Sequence, residues 1–533
     1  MNQTIQNPIL KGFNPDPSLV RVGDDYYIAT STFEWYPGVQ IHHSKDLVNW
    51  RLLTRPLNRP SLLDMRGEPD SCGVWAPCLS YEDGLFWLVY TDVKRFDGNF
   101  KDTHNFLTTC ESIDGEWSDP VYLNSSGFDP SLFHEDNGKK WMLNMVWDHR
   151  SDRTFFGGTY LQEYCVAEKK LVGPVKNIFP GSELGFTEGP HLYQLNGYYY
   201  LLTAEGGTGY DHAMTMARSK NIEGPYEVDP ITHFVSAKDS PNSLLQRSGH
   251  GDWVETQTGE CYAVHLCSRP ISDKLKRSPM GRESAIEKVV WSEDGWLRMS
   301  SGGNTPEEQV AAPNLPLHPW PAQLTDHDFE SPDLPEEFQW LRSPYPKQLF
   351  SLTERPGYLR LFGRESLGSW NASALVARRQ QSFCFTAATC VEYEPDNFQQ
   401  MAGLVSYYNS HKFHYCYISH DEKIGKHIAV MSCLGDQTQV ADFPLQHALI
   451  PVPSNQPIYL RALVDYETLR FEWSIDNQQW YNVPVELDQS LICDETGKGE
   501  GANFTGAFVG MCCQDMSGVR KAADFDFFNY EER

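Results

Sequence analysis

Positive charge is scarce in this chain. Its 533 residues include 44 Lys and Arg against 71 Asp and Glu, so the formal net charge at pH 7 is −27. A surface with this excess of negative charge repels phosphate groups, which excludes nucleic acids and anionic membranes as expected partners. The substrate is therefore expected to be neutral.

Long apolar segments are also missing. No run approaches the ~20 apolar residues that a membrane helix needs, and residues 1–8 lack the apolar core of a signal peptide. The 13 cysteines are an odd number, without C-x-x-C or zinc-type spacing. We therefore predict reduced thiols and a cytoplasmic location, with a secreted protein that has lost its signal as the alternative.

Helical periodicity is weak throughout, and a repeat takes its place. Five copies of a short pattern open at Asp16, Trp75, Asp129, Glu188 and His250, at intervals of 54 to 62 residues. Each copy leads to a Gly-containing turn and then an aromatic-rich apolar run. Strand and turn repeats near this period predict a propeller with one blade per copy. The five opening residues should then hold equivalent places and converge on one axis.

The rest of the chain has a different pattern. Residues 1–303 carry the repeats, residues 304–325 form a Pro-rich linker, and residues 326–533 contain long alternating segments separated by turns. Strands at this spacing without helices predict a β-sandwich. The predicted fold is therefore all-β, a five-bladed β-propeller followed by a β-sandwich.

Three carboxylates, a Trp and a His around one axis indicate a site that cleaves sugars. Glycoside hydrolysis needs a protonated acid and an ionised carboxylate. Asp16 and Glu188 lie on blades that are not neighbours and can face each other, while Asp129 would raise the pKa of Glu188. Geometry leaves open which carboxylate has which role. Asp-Pro and Glu-Gly-Pro also occur as ordinary turns, but a purely structural repeat would tend to open on one residue type.

Three other residues have two or more interpretations. Trp75 is either a core plug or a stacking platform for a sugar. His250 is a buried His, a hydrogen-bonding partner of Asp16, or a ligand for a divalent cation such as calcium. No cofactor is expected to be obligatory. Arg282 is either a surface charge or a fork-shaped donor to sugar hydroxyls, and its local sequence does not decide between these.

Four blocks resemble the active-site motifs of glycoside hydrolase family 43, especially its two-domain β-xylosidases. The resemblance covers essentially the whole chain. The blocks are Lys11-Gly12-Phe13-Asn14-Pro15-Asp16-Pro17-Ser18, Gly73-Val74-Trp75-Ala76-Pro77, Gly127-Phe128-Asp129-Pro130-Ser131-Leu132-Phe133 and Thr187-Glu188-Gly189-Pro190-His191. Cys78 departs from the pattern, where relatives more often have an acidic residue.

The resemblance implies an exo-acting, inverting enzyme that releases xylose from the non-reducing ends of β-1,4-xylooligosaccharides. It implies a concanavalin-like jelly roll for residues 326–533, with a loop that completes the active site. Asp16 would be the general base, Asp129 the pKa modulator and Glu188 the general acid. The implied substrate-binding residues are Arg282, Phe33, Trp75, Trp147, His250 and Phe504.

Two alternatives remain. An α-L-arabinofuranosidase or arabinan-cleaving enzyme, as main or side activity, would use the same machinery. A carbohydrate-binding propeller without chemistry is the non-enzyme alternative, although it would tend to have lost at least one of the three acids. We also expect a homo-oligomer, either a dimer or a tetramer.

Overall fold

The predicted all-β fold is confirmed. The computed structural model describes residues 3–231, 233–434, 445–497 and 503–533. Across these ranges the chain forms strands and two short 3-10 turns, over Pro346–Gln348 and Gln489–Leu491, and no α-helix. The described residues accordingly include no helix that is long and apolar enough to cross a bilayer.

Twenty-four strands occupy the described part of the first 311 residues. They are β1 (Thr4–Gln6), β2 (Ser18–Val22), β3 (Asp25–Thr30), β4 (Trp35–Tyr36), β5 (Gln40–Ser44), β6 (Arg51–Thr54), β7 (Gly73–Glu82), β8 (Leu85–Arg95), β9 (Asp102–Cys110), β10 (Val121–Asn124), β11 (Ser131–His134), β12 (Lys140–Trp147), β13 (Phe156–Cys165), β14 (Lys170–Phe179), β15 (Glu188–Leu195), β16 (Tyr198–Glu205), β17 (Ala213–Ser219), β18 (Glu227–Val228), β19 (Val235–Ser236), β20 (Gln246–Glu255), β21 (Cys261–Ser268), β22 (Glu283–Trp291), β23 (Leu297–Met299) and β24 (Gln309–Ala311).

These strands build the five predicted blades. Blade I is β2-β3-β5-β6, blade II is β7 to β10, blade III is β11 to β14, blade IV is β15 to β18 with β19 beside β17, and blade V is β20 to β23. The first strand of each blade contacts those of its neighbours, β2 with β7 and β20, β11 with β7 and β15, and β15 with β20. The ring is therefore closed, and the first strands surround its axis.

The N-terminus and the Pro-rich connector cover the junction between blades V and I. Strand β1 pairs with β24, so that Ile5 lies opposite Val310. Both side chains are buried with Tyr26 of blade I and Tyr262 of blade V. The connector predicted over residues 304–325 thus contains a paired strand that packs on the propeller.

The C-terminal strands form the predicted sandwich. They are β25 (Asp326–His327), β26 (Phe338–Leu341), β27 (Phe350–Ser351), β28 (Leu359–Phe362), β29 (Ala374–Arg379), β30 (Cys384–Glu392), β31 (Gln400–Asn409), β32 (Lys412–Asp421), β33 (Gly425–Leu434), β34 (Leu445–Pro451), β35 (Ile458–Asp465), β36 (Thr468–Ser474), β37 (Tyr481–Asp488), β38 (Phe508–Asp515) and β39 (Ala522–Glu532). One sheet runs β27-β28-β39-β30-β35-β36-β37, with β25 on β39. The other runs β34-β33-β32-β31-β38-β29-β26-β4.

The last strand of that second sheet comes from the propeller half of the chain. Strand β4 pairs with β26, placing Tyr36 opposite Trp340 and Trp35 opposite Leu341. Trp35 is fully buried and stacks on Phe508 of the sandwich, with ring centroids 3.6 Å apart. The two domains therefore share a sheet and an apolar core.

A glycine marks the closest approach of the domains near the propeller axis. Gly281, just before β22, has φ of +67°, and a Cβ there would lie 2.0 Å from the Thr505 carbonyl oxygen. Gly302 provides a matched comparison, with φ of +83° and no atom within 4 Å of the same position.

We predict that Gly281→Ala destabilises the protein far more than Gly302→Ala. Both variants incur the ~1–2 kcal/mol cost of left-handed backbone, but only Gly281→Ala adds a collision with backbone, worth roughly 1–3 kcal/mol more. Chemical or thermal unfolding measures the difference. Equal losses would contradict a tight contact between blade V and the sandwich.

Candidate active site

The structure brings the nine predicted site residues to one pocket of about 550 Å³ at the propeller axis. The sandwich contributes one of them. The nine are Asp16, Phe33, Trp75, Asp129, Trp147, Glu188, His250, Arg282 and Phe504.

The five repeat openings are not all equivalent, which corrects the sequence prediction. In each blade, a residue near the start of the first strand has the left-handed backbone conformation. These residues are Asp16, Ala76, Asp129, Gly189 and His250, with φ between +29° and +56°. Strand pairing starts or resumes two residues later in blades I to IV, and one residue later, at Gly251, in blade V. Trp75 and Glu188 therefore stand one residue before the position that the other three openings occupy.

This offset has a steric cause in blade IV. At Gly189, which has φ of +55°, a Cβ would lie only 2.9 Å from the His250 ring. A side chain cannot occupy that place, so the carboxyl group of blade IV comes from Glu188, the residue before it. A Glu side chain is also one methylene longer than an Asp side chain, which extends its reach into the pocket.

The Asp16 carboxylate is held at both oxygens. The Ser31 hydroxyl donates to Oδ2 at 2.6 Å, and Nη1 of Arg282 donates to Oδ1 at 3.0 Å. Ser31 in turn accepts a bond from the Ala76 amide at 2.7 Å. Blades I, II and V thus fix the orientation of this carboxylate.

Arg282 connects the carboxylate to the sandwich. Its Nη2 donates to the Phe504 carbonyl at 2.9 Å, and its guanidinium carbon lies 5.3 Å from the centroid of the Phe33 ring. The side chain is 3% exposed. The structure thus places Arg282 in the pocket and excludes the interpretation as a surface charge.

Asp129 and Glu188 are buried carboxyl groups, and neighbouring acids affect the pKa of each. Burial raises the pKa of Glu188 well above its usual range, and the charges of Asp129 and Asp16 raise it further. Burial and the Asp16 charge also raise the pKa of Asp129, to about 8. The Gly189 amide, which donates to Asp129 at 3.0 Å, acts in the opposite direction.

His250 faces two of the acids. Its Nδ1 lies 3.8 Å from Asp16 Oδ1 and 3.9 Å from Asp129 Oδ2. Burial lowers the pKa of His250 to about 4, so its imidazole is neutral near pH 7. Within the described ranges, no three His, Cys, Asp or Glu side chains form a group that could hold a metal ion.

Aromatic rings line one wall of the pocket. Trp75 lies 5.6 Å from both Phe33 and Phe504, measured between ring centroids. Phe96 lies 5.5 Å from Phe504. Trp75 also donates its indole N–H to the Ser71 carbonyl at 2.9 Å, which fixes the ring. Such faces suit the C–H surface of a sugar ring.

Trp147 stands on another wall, at the end of β12. The Lys101 ammonium lies 4.2 Å from the Trp147 ring centroid and donates to the Phe96 carbonyl at 2.6 Å. Burial lowers the pKa of Lys101. Lys101 and Phe96 belong to the turn between β8 and β9, so this turn forms a rim of the pocket.

Several lining residues were missed by the sequence analysis. They include Phe96, Lys101, Phe128, Phe156, Phe186 and Thr208. Phe128 directly precedes Asp129, and its place in that block was a usable signal. Phe156 is the first residue of β13 and the other four lie in connections between strands, where no repeat pattern marks them.

Below the pocket, a second polar layer fills the axis. Asp252 accepts bonds from the Leu19 amide at 2.9 Å and the Ser18 hydroxyl at 3.2 Å, and also from the Tyr193 hydroxyl. Burial alone would lower the pKa of His191, but the Asp252 charge, the contact with Cys78 and the Asp129 charge together raise it to about 9. Cys78, the departure from the family pattern, lies 4.0 Å from His191 Nδ1. This layer holds the first strands together beneath the acids.

A pocket lined by these aromatic, basic and acidic side chains favours acid–base cleavage of a bond to a neutral, hydroxylated ring. Aromatic walls provide stacking surfaces, the guanidinium and imidazole provide donors, and carboxyls of different environment provide an acid and a base. Propeller, sandwich and pocket together define a glycoside hydrolase.

Comparison with protein families gives the same class. Residues 5–297 match the family "Glycosyl hydrolases family 43", and residues 326–531 match "Beta xylosidase C-terminal Concanavalin A-like domain". The chain belongs to glycosyl hydrolase family 43, as the resemblance predicted.

Individual relatives align over nearly the full length. The chain is 50% identical to a "Beta-xylosidase" of Bacillus subtilis, covering 99% of this chain and 100% of the relative. It is 49% identical to "Xylosidase/arabinosidase 43B" of Humicola insolens, covering 99% and 97%. The crystal structure of a xylan beta-1,4-xylosidase from Bacillus halodurans superposes with a TM-score of 0.96 at 52% identity, covering 99% and 100%.

We predict that Phe504→Ala weakens substrate binding with little loss of stability. Phe504 is only partly buried and its ring faces the pocket, so its removal should raise KM severalfold. Phe508→Ala is the matched control, because Phe508 is fully buried on Trp35 and its loss should cost roughly 3–5 kcal/mol. A large fall in Tm with unchanged KM for Phe504→Ala would place that ring in the core.

Proposed function

We propose that this protein is an exo-acting, inverting β-xylosidase that releases xylose from the non-reducing ends of β-1,4-xylooligosaccharides. The full-length similarity to proteins named β-xylosidases supports the substrate class. The single observation that carries the mechanism is the environment of Glu188, a buried carboxyl whose pKa is raised beside two other acids.

Glu188 is the general acid in this proposal. A carboxyl that keeps its proton near neutral pH can donate it to the glycosidic oxygen as the bond breaks. Asp129 and Glu188 titrate as a pair, since each disfavours the charge of the other. We assign the proton to Glu188 because the Gly189 amide bond stabilises the charged form of Asp129.

Asp16 is the general base. Ser31 and Arg282 each occupy one of its oxygens, yet a carboxylate oxygen has a second lone pair, which remains available for a water. That water attacks the anomeric carbon on the face opposite the leaving group and gives its proton to Asp16. Inverting enzymes hold the two carboxyls roughly 6.5–9.5 Å apart to accommodate such a water.

Substrate binding is assigned to the pocket walls. Arg282 and His250 donate to hydroxyls of the terminal sugar, and Phe33, Trp75 and Phe504 contact its ring. Trp147 is assigned to the next sugar, since it stands on a different wall beside Lys101. A divalent cation near His250 stays a prediction.

A second activity has specific support. The Humicola relative is named a xylosidase/arabinosidase, and α-L-arabinofuranosides would use the same acid and base. Steady-state kcat/KM on aryl β-xyloside and aryl α-L-arabinofuranoside would rank the two activities. Binding of either sugar without hydrolysis would favour a carbohydrate-binding propeller.

The cellular setting is proposed on one observation. None of the 13 cysteines, which all lie in described residues, forms a disulfide, and this supports a cytoplasmic protein. We retain the expectation of a homo-oligomer, dimer or tetramer, and light scattering of the purified protein would decide it.

We predict that the first product from an aryl β-xyloside is α-xylose. A single displacement by water inverts the anomeric carbon, and proton NMR at early times distinguishes the anomers before mutarotation. Asp16→Asn serves as the control, which should release sugar at least a hundredfold more slowly. Early β-xylose would contradict the role of Asp16 as base.

We predict that Asp129→Asn moves the alkaline limb of the pH–rate profile to lower pH. Activity is lost as pH rises through the pKa of the acid, and removing the Asp129 charge lowers the pKa of Glu188. The profile of kcat/KM measures the shift. A limb at unchanged pH would show that Asp129 does not tune the acid.

A further inference from the structure

A second large cavity lies between the propeller and the sandwich. It has a volume of about 570 Å³ and is bounded by blade I, the Pro-rich connector, β29 and the residues just before β26. It shares no lining residue with the active-site pocket. Five basic and two acidic side chains line it, an excess of positive charge in a chain whose net charge is −27.

Arg379, at the end of β29, is one of the buried basic residues of this cavity. It is 6% exposed. Its Nε donates to the Phe13 carbonyl and its Nη1 to Gln339 Oε1, both at 2.6 Å. Its Nη2 is buried without a hydrogen-bond partner. Burial lowers the pKa of Arg379 well below its usual range, and the charge of Arg55 lowers it further.

Arg55 reaches the same cavity from blade I. Its Nε and Nη2 both donate to Gln40 Oε1, at 3.0 and 2.6 Å. Burial lowers the pKa of Arg55 to about 9, while Glu336 and Glu337 act to raise it. No carboxylate in the described part of the chain lies within 4.0 Å of either guanidinium.

Burial and the positive charge in this cavity both lower the pKa of His42. It lines the wall, and its Nδ1 is buried without a partner. Burial lowers the pKa of His42 to about 3, and the charges of Arg379 and Arg55 contribute. The ring is therefore neutral and available for one hydrogen bond to a ligand.

These observations leave the buried guanidinium of Arg379 and the half-buried guanidinium of Arg55 without a carboxylate in direct contact. A guanidinium stays protonated in proteins, and a buried, unpaired charge is expensive. Native proteins rarely leave such a donor unsatisfied. We propose that this cavity is a binding site for a small oxyanion such as inorganic phosphate, held between Arg55 and Arg379.

The acidic residues limit what can enter. Glu336 is exposed, whereas Glu337 is buried beside it. A long polyanion would meet their charge and that of the surrounding surface. A small tetrahedral ion can pass them and accept bonds from the N–H groups of Arg55 and Arg379 that these contacts leave free, including Nη2 of Arg379.

The site connects to the segment that carries Asp16. Arg379 binds the Phe13 carbonyl, and Gln40, the partner of Arg55, donates to Asn14 Oδ1 at 2.7 Å. Phe13 also packs on Phe33, with ring centroids 5.6 Å apart. The oxyanion therefore clamps blade I, the Phe13–Asp16 segment and the sandwich together.

Calorimetric titration of the full chain with sodium phosphate, with sodium chloride at equal ionic strength as reference, tests the proposal. We expect one phosphate per chain, a Tm that rises with phosphate beyond the chloride effect, and at least tenfold weaker binding in Arg55→Gln. Arg470→Gln is the matched control, because Arg470 is a surface arginine of the sandwich paired with Glu486, and it should bind phosphate as the parent does.

Arg55→Gln is preferred to an Arg379 variant, since Arg379 also supports the Phe13 backbone. If Arg55→Gln unfolds, Arg55→Lys replaces it and should weaken binding while keeping the charge. Phosphate should leave KM for an aryl glycoside unchanged. The proposal is overturned if phosphate stabilises no more than chloride, if Arg55→Gln binds it normally, or if phosphate competes with substrate in the axial pocket.

Discussion

The bond between Arg282 and Asp16 is the contact on which the active site depends. Three carboxyl groups are buried at one axis, and Arg282 is the guanidinium that touches an acid there. Its two terminal nitrogens hold Asp16 of blade I and the Phe504 carbonyl of the sandwich. The Arg282 guanidinium therefore offsets the negative charge of a buried acid and also links the two domains. A change at Arg282 would affect catalysis and domain assembly together.

Much of this arrangement could be predicted from the sequence, because the repeat is local. Turn glycines, aromatic runs and the repeat openings specify five blades, and the family blocks pointed to nine pocket residues. The one-residue offset at Trp75 and Glu188 was missed, since it depends on which residue adopts the left-handed backbone conformation. That choice is set by the packing of Gly189 on the His250 ring, a contact between blades with no signature in either segment alone.

The strand that the propeller half contributes to the sandwich was beyond sequence reasoning for a similar reason. Strand β4 has only two residues, and its local sequence resembles the interior of blade I. Its partner lies in another domain, about 300 residues later. Ser31 and Lys101 were missed likewise, because each contacts a residue of another blade, Ser31 the Ala76 amide and Lys101 the Trp147 ring.

The shared strand also sets an order of events during synthesis. Trp35 and Tyr36 leave the ribosome long before Trp340 and Leu341, and at ~5–20 residues per second the interval is about 15 to 60 s. For that time the segment between β3 and β5 presents an unpaired backbone edge and an uncovered indole ring to solvent. The nascent propeller therefore needs a chaperone or fast completion of the chain, and a ribosome that stalls within the connector would release a product prone to edge-to-edge association.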